Sequence, residues 1–206
     1  PKRKGRPAKR YLPAAELSKL KSATANNPQC EYARKLFLFS YYCYGISFID
    51  MAMLTAAHIK QMEDGDYIVY KRQKIKRQKG VKPISIKITP AIRQLIESLQ
   101  AASPTVDDFL LPIVTRSGYT GERLYMHIRT RYSKYQKYLR LLAEELGIDF
   151  HLTSYVSRHT AAMTLQRNHI PREVISQMLG HADLETTNIY LDSFDNRVIN
   201  EAAKVL

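Results

Sequence analysis

Residues Glu31 to Tyr44 constrain the fold most: they contain no glycine or proline and carry apolar side chains on every side of a helix. Such a helix lacks a face for water, so it is stable only when other elements surround it. The most apolar run, Leu36 to Ile49, is shorter than the roughly 20 residues a spanning helix needs and contains Ser40, Ser47 and three tyrosines. A central core helix is expected, not a membrane span. A chain of 206 residues suits one domain, or one domain with a tail.

The flanking segments supply the surrounding layers. Pro13-Ala14-Ala15-Glu16-Leu17 predicts a helix start, with proline in the first turn and an acid near the positive end, running to about Ala25. Asn26-Asn27-Pro28 breaks the chain before the central helix, Gly45 stops or bends it, and Ile46 to Leu54 resumes helical spacing with Asp50 near its start. The one persuasive β region is Tyr67-Ile68-Val69-Tyr70 and Ile84-Ser85-Ile86-Lys87-Ile88, where alternation gives one buried face. These segments read as a hairpin with a charged tip. Thr89-Pro90 opens a helix with Ile92, Leu95, Ile96 and Leu99 on one face, and Ser103 to Arg123 reads as irregular. Tyr125 to Leu146 reads as a long helix closed by Gly147, its tyrosines (Tyr125, Tyr132, Tyr135, Tyr138) expected to pack in the core rather than stack on DNA. Three short helices follow: Ser154 to Arg167, Pro171 to Leu179 closed by Gly180, and Leu184 to Asp192. The expected class is α+β, mainly α-helical with a small antiparallel β-sheet.

The abnormal quantity is charge. Thirty-two Lys and Arg against nineteen Asp and Glu leave +13, which points to a polyanion such as nucleic acid or an anionic membrane surface. Residues 1–100 hold twenty basic and seven acidic side chains, whereas residues 101–206 hold twelve of each, so the excess is confined to the first half. Within it, Pro1 to Arg10 carries six basic residues and Lys71 to Lys82 seven, neither with an acid. Two concentrated segments fit two electropositive contact points better than a general solubilising charge.

Cys30 and Cys43 are too few for a disulfide framework or a thiolate zinc site; small buried side chains in a reducing cytoplasm are expected. Pro-Lys-Arg-Lys-Gly-Arg-Pro at the amino terminus has no apolar segment behind it, so it does not read as a secretory signal; it resembles a nuclear localisation patch and also reads as a basic linker. There is no Gly-rich phosphate loop, no paired Cys or His set with zinc spacing and no Gly-x-Ser-x-Gly elbow. Chemistry without cofactor or metal is the expectation. The remaining reactive residues concentrate near the carboxyl end: Arg158-His159-Thr160-Ala161, Leu179-Gly180-His181 and Thr187-Asn188-Ile189-Tyr190-Leu191-Asp192.

An Arg-His pair, a Leu-Gly-His 23 residues on and a tyrosine nine residues later, behind a basic hairpin, resemble the catalytic domain of the tyrosine recombinase (phage integrase) family. The likeness runs from Tyr11 to about Tyr190 and includes Tyr-Gly-Ile-Ser-Phe-Ile-Asp-Met-Ala-Met-Leu at residues 44–54, similar to the family's first catalytic-helix motif. That segment and Tyr155-Val-Ser-Arg-His look closest to integrases of Bacteroidetes-type mobile elements. The resemblance implies a catalytic domain at 11–206, a basic interdomain linker at 1–10 and an amino-terminal DNA-binding domain before Pro1. It also implies a tetramer on double-stranded DNA in a bacterial cytoplasm, associated with the nucleoid, with accessory DNA-bending proteins as further partners. The segment Phe194 to Leu206 would pack against a neighbouring protomer.

By the same resemblance Tyr190 is the nucleophile, Arg158 holds the non-bridging phosphate oxygens, and His181 donates to the phosphate or assists proton transfer. Lys79 near the hairpin tip protonates the leaving oxygen, with Lys74 as runner-up. Lys71, Arg72, Lys74, Lys76 and Arg77 are expected on the DNA backbone. His159 is expected to pack structurally. Two positions depart from the family: its first arginine falls on Ser47, and the first histidine of its His-x-x-Arg motif falls on Tyr155. Arg72 and Arg77, and more remotely Arg34, are candidates to replace the lost guanidinium. Tyr155 retains a hydroxyl that can donate. Two rivals to a site-specific recombinase follow: a catalytically degenerate DNA-binding module, and a type IB topoisomerase.

Overall fold

The computed structural model describes residues 11–76 and 82–180. Lys79, Arg77, His181 and Tyr190 lie outside the described residues, as do the basic segment 1–10, the expected helix at 184–192 and the 194–206 tail.

Helix α1 (Ala14–Ser22) leads into α2 (Pro28–Tyr42). Asn27 caps α2 by accepting from the amides of Gln29 (2.8 Å) and Cys30 (3.4 Å), with Pro28 in the first turn. Helix α3 (Phe48–Ala52) is short and is followed by a 3-10 turn at Ala56–His58. Strands β1 (Ile59–Met62), β2 (Gly65–Tyr70) and β3 (Ile84–Lys87) form a sheet in the order β1-β2-β3, both pairs antiparallel. Then come α4 (Pro90–Ala102), α5 (Gly121–Glu145), α6 (Ser154–Arg167) and α7 (Arg172–Leu179).

The all-round apolar helix is the centre of the molecule. Helix α2 packs against α4, α5 and α6, and Leu36, Phe37, Leu38 and Phe39, four successive residues spanning its circumference, are all buried. One main hydrophobic cluster extends from Leu12 to Ala161, and a smaller one joins Tyr11, Ala162, Met163, Ile175 and Leu179 beneath α7. Both cysteines are buried and free. No described helix is long and apolar enough to cross a membrane.

The expected hairpin is β2 and β3, paired from Tyr67↔Lys87 to Tyr70↔Ile84. Ile68, Tyr70, Ile84 and Ile86 face the core, as the alternation requires. Strand β1 has no counterpart in the sequence reading. Its burial is confined to part of Ile59, so it shows no alternating apolar signature. The available signal was the turn: Met62 pairs with Gly65 across Glu63-Asp64, and Gly65 holds φ +130°. On α5 the tyrosines divide. Tyr135 is buried and Tyr138 packs half-buried against the core, but Tyr125 and Tyr132 are exposed, contrary to the core role expected of them.

Phe37→Ala should lower the unfolding free energy by about 3–5 kcal/mol, the usual cost of emptying a packed aromatic site, as read from the urea midpoint at unchanged m-value.

Candidate active site

The site begins where α2 ends. Tyr44 and Gly45 take left-handed backbone conformations (φ 58° and 73°) and turn the chain sharply into α3. A Cβ on Gly45 would lie 2.4 Å from the Cα of Arg158, so only glycine allows α6 to approach this turn. Ser40 and Ser157 join the same helices by a 2.8 Å hydroxyl contact, and Ser40 Oγ also donates to the Ile46 carbonyl (2.8 Å).

This close approach carries Arg158 into the interior, where it is 5% exposed. Its Nη1 donates to the Gly45 carbonyl (3.1 Å) and its Nη2 to the Leu179 carbonyl (2.5 Å). The guanidinium thus ties the α2–α3 turn to the last turn of α7. Gly180, in the left-handed C-cap conformation, packs so tightly on Ile84 that a Cβ would meet its Cδ1 at 2.4 Å. Its carbonyl accepts from Arg72 Nη1 at 3.3 Å. Two arginines, one from α6 and one from the hairpin arm, therefore hold successive carbonyls at the end of α7, immediately before His181.

Arg158, Arg72 and Tyr155 line one cavity of about 440 Å³, together with Ser47, Ser154 and Arg129. Its remaining walls are Gly45, Ile46, Phe48, Ile49, Tyr125, Ile128 and Tyr132. Tyr155 lies one helical turn before Arg158 and is 51% exposed, its ring edge-on to His159 at 4.8 Å. His159 is buried, consistent with packing. Lys71, Lys74 and Lys76 are exposed on the arm leading from β2.

Ser47, where the resemblance puts the family's first arginine, caps α3: its Oγ accepts from the Asp50 amide (3.2 Å) and donates to Asp50 Oδ2 (2.6 Å). Of the replacement candidates, Arg72 lines the cavity and Arg77 lies outside the described residues. Arg34 does not reach it. That side chain is clamped by Glu31 through two 2.7 Å bonds and donates to the Leu20 carbonyl (3.0 Å), because its position on α2 faces α1.

Two residues passed over in the sequence belong here. The buried Asp50 carboxylate accepts from the Gln73 amide at 2.6 Å, fastening the hairpin arm beside Arg72 to α3. Arg129 lines the cavity from α5, where the spacing Tyr125, Arg129, Tyr132 marks one helix face. Tyr70, which senses the charges of Asp50, Arg158 and Arg72, is a different case. Burial, reinforced by the Asp50 carboxylate, pushes its phenol far above the ordinary range, so it stays protonated beside the site.

A helical domain with a three-stranded sheet, whose cavity draws arginines from the hairpin arm and from two helices, matches a known class. Residues 10–197 match the sequence profile of the Phage integrase family, and the chain belongs to that family. Tyrosine recombinase XerD of Brucella abortus biovar 1 (strain 9-941) is 30% identical over 129 residues, which cover 59% of this chain and 38% of the relative. The chain spans less than half the length of the first curated relatives it matches. XerA recombinase superposes with a TM-score of 0.63 at 21% identity, over 94% of this chain and 64% of that one. The Tn1549 transposon integrase, in complex with a circular intermediate DNA, superposes at 0.65 and 12% identity, over 98% and 67%. These likenesses establish the tyrosine recombinase catalytic-domain fold.

Asp50→Ala should cost about 1–3 kcal/mol by stranding the Gln73 amide. Amide hydrogen exchange at Gln73 should accelerate together with a fall in the urea midpoint; an unchanged exchange rate would show that Asp50 does not fasten the arm.

Proposed function

We propose that the chain is the catalytic domain of a site-specific DNA recombinase or integrase that cuts and rejoins duplex DNA through a 3′-phosphotyrosyl intermediate. The observation that carries this reading is the convergence of Arg158, Arg72 and Tyr155 on one cavity, with both arginines bonded to the carbonyls of Leu179 and Gly180, which directly precede His181 in the chain. Relatives named as tyrosine recombinases and a structural neighbour bound to DNA support it. The finer likeness to Bacteroidetes-type integrases rests on residues 44–54 and 155–159, as do the roles of Ser47 and Tyr155.

In this mechanism the Tyr190 oxygen attacks the scissile phosphorus. A tyrosine–phosphorus bond forms as the bond to the 5′ oxygen breaks, and Lys79 gives that oxygen its proton. His181 assists proton transfer, taking up the proton that the Tyr190 hydroxyl releases as its oxygen bonds to phosphorus. The stored phosphodiester lets a second 5′-hydroxyl reseal the strand with neither ATP nor metal. Arg158 meets the non-bridging oxygens with a planar fork fixed by two backbone carbonyls, so it needs no reorganisation as charge develops. Arg72, in the lining of the same cavity, supplies the guanidinium that Ser47 cannot. Tyr155 donates through its hydroxyl. Lys71, Lys74, Lys76 and Arg77 track the DNA backbone, and assembly is a tetramer on two duplexes, aided by DNA-bending proteins.

Incubation with a nicked duplex carrying the inverted repeats that flank the gene should give a covalent protein–DNA adduct that Tyr190→Phe abolishes. Arg158→Ala and Arg72→Ala should each slow its formation by about 10²–10³, the usual cost of one preorganised donor. Intact binding without adduct would mean a degenerate binding module, and relaxation of arbitrary plasmid a topoisomerase. Affinity should fall steeply with salt, and Lys71→Ala, Lys74→Ala and Lys76→Ala should each reduce the log–log salt slope by about one in an anisotropy titration.

A further inference from the structure

The cavity is larger and more apolar than a phosphate requires. Its volume of about 440 Å³ falls in the range of about 300–1,000 Å³ typical of small-ligand pockets. Phosphate oxygens use the arginines and backbone amides but gain nothing from Ile46, Phe48, Ile49, Ile128 and a rim of tyrosines. Six large apolar or aromatic side chains are exposed among the described residues, and three of them, Tyr125, Tyr132 and Tyr155, line this one cavity. Clustering of that kind marks a binding surface, whereas scattered exposed apolar residues need no explanation.

The tyrosines on α5 are arranged as a platform. Tyr132, 37% exposed, is backed by Phe48 at 5.4 Å, which in turn stacks on the buried Tyr135 at 5.1 Å and 21°. Its hydroxyl is held by Ser154 Oγ (3.1 Å) and Gln136 Nε2 (3.1 Å). The ring is thus fixed in place with one part facing the cavity. Tyr125, 59% exposed, stands two turns away on the same face and makes no ring contact or hydrogen bond among the described residues. Between them Arg129 is exposed, with no side-chain hydrogen bond or ion pair among the described residues.

We propose that this cavity binds one nucleobase displaced from its stack beside the scissile phosphate, with Tyr132 as the fixed platform, Tyr125 closing the other face and Arg129 on the phosphate of the same nucleotide. The proposal rests on the DNA reading above. Aromatic faces accept any base, so the pocket selects for a base that leaves the helix easily rather than for its identity. The unstacking cost is least for an unpaired or mismatched base. The favoured substrate is therefore a duplex with a weakly paired step next to the cleaved bond.

The test uses the whole chain and two duplexes of one sequence, fully paired or carrying a single unpaired 5-iodouracil. The bulged duplex should bind about tenfold tighter, the factor expected of one stacked base. Irradiation should cross-link the iodouracil to Tyr125 or Tyr132, located by mass spectrometry. Tyr125→Ala and Tyr132→Ala should each bring the affinity ratio towards one. Because Tyr132 also packs on Phe48, the exposed Tyr125→Ala variant and the wild-type cross-link decide the matter if Tyr132→Ala does not fold. Equal affinities, or a cross-link away from both tyrosines, would overturn the proposal while leaving the DNA reading intact. Failure of both duplexes to bind would overturn the DNA reading and this site with it.

Discussion

The contact between Arg158 and the Gly45 turn organises the site. A buried guanidinium is costly unless its donors are satisfied, and here the Gly45 and Leu179 carbonyls serve two of its nitrogens. Meeting that demand fixes the approach of α6 to α2, the left-handed exit from α2, and the position of the α7 C-terminus. Arg72 then engages the next carbonyl, at Gly180. The same hydrogen bonds that make the arginine tolerable in the interior hold its fork at the cavity wall, so stability and preorganisation come from one set of interactions.

Much of this was legible in the sequence because it follows from local periodicity. The helix at Ser154–Arg167 has the bounds its pattern predicts, and the central position of α2 follows from its missing polar face. Strand β1 was not legible, since an exposed edge strand buries almost nothing and leaves no alternation to read. At the site, residue type and spacing singled out Arg158, and the family resemblance singled out Tyr155. They could not reveal Asp50, whose importance lies in reaching the Gln73 amide 23 residues away. Nor could they reveal Arg129, which enters the cavity only because α5 runs beside α6. Tertiary approach decides both, and no local pattern encodes it.

The three candidates for the lost guanidinium show why sequence proximity to the basic arm matters less than where the arm is fastened. Arg34 has the right chemistry but faces Glu31 and the Leu20 carbonyl, where a bidentate ion pair already satisfies it. Arg72 follows the last residue of β2 by two positions, and Asp50 anchors the adjoining Gln73 amide. That anchor joins the Ser47-capped helix to the cation proposed to replace the family's first arginine. The Ser47 hydroxyl bonds orient the Asp50 carboxylate that fastens the arm beside Arg72.

The distribution of charge gains a further meaning from the cavity wall. The +13 of the chain is concentrated in residues 1–10 and 71–82, which suits a long-range, salt-screened grip on a polyanion. Within the cavity three arginines share the lining with three tyrosines and a row of apolar side chains. Such a lining lowers the local dielectric, strengthening each arginine–phosphate contact once water is displaced. It also supplies flat apolar surface, which the sugar and base of a nucleotide cover in the proposed complex. In the proposed complex the exposed lysines on the arm and the guanidiniums in the aromatic recess act at different ranges, the first gathering the duplex and the second fixing a single nucleotide step at the bond to be broken.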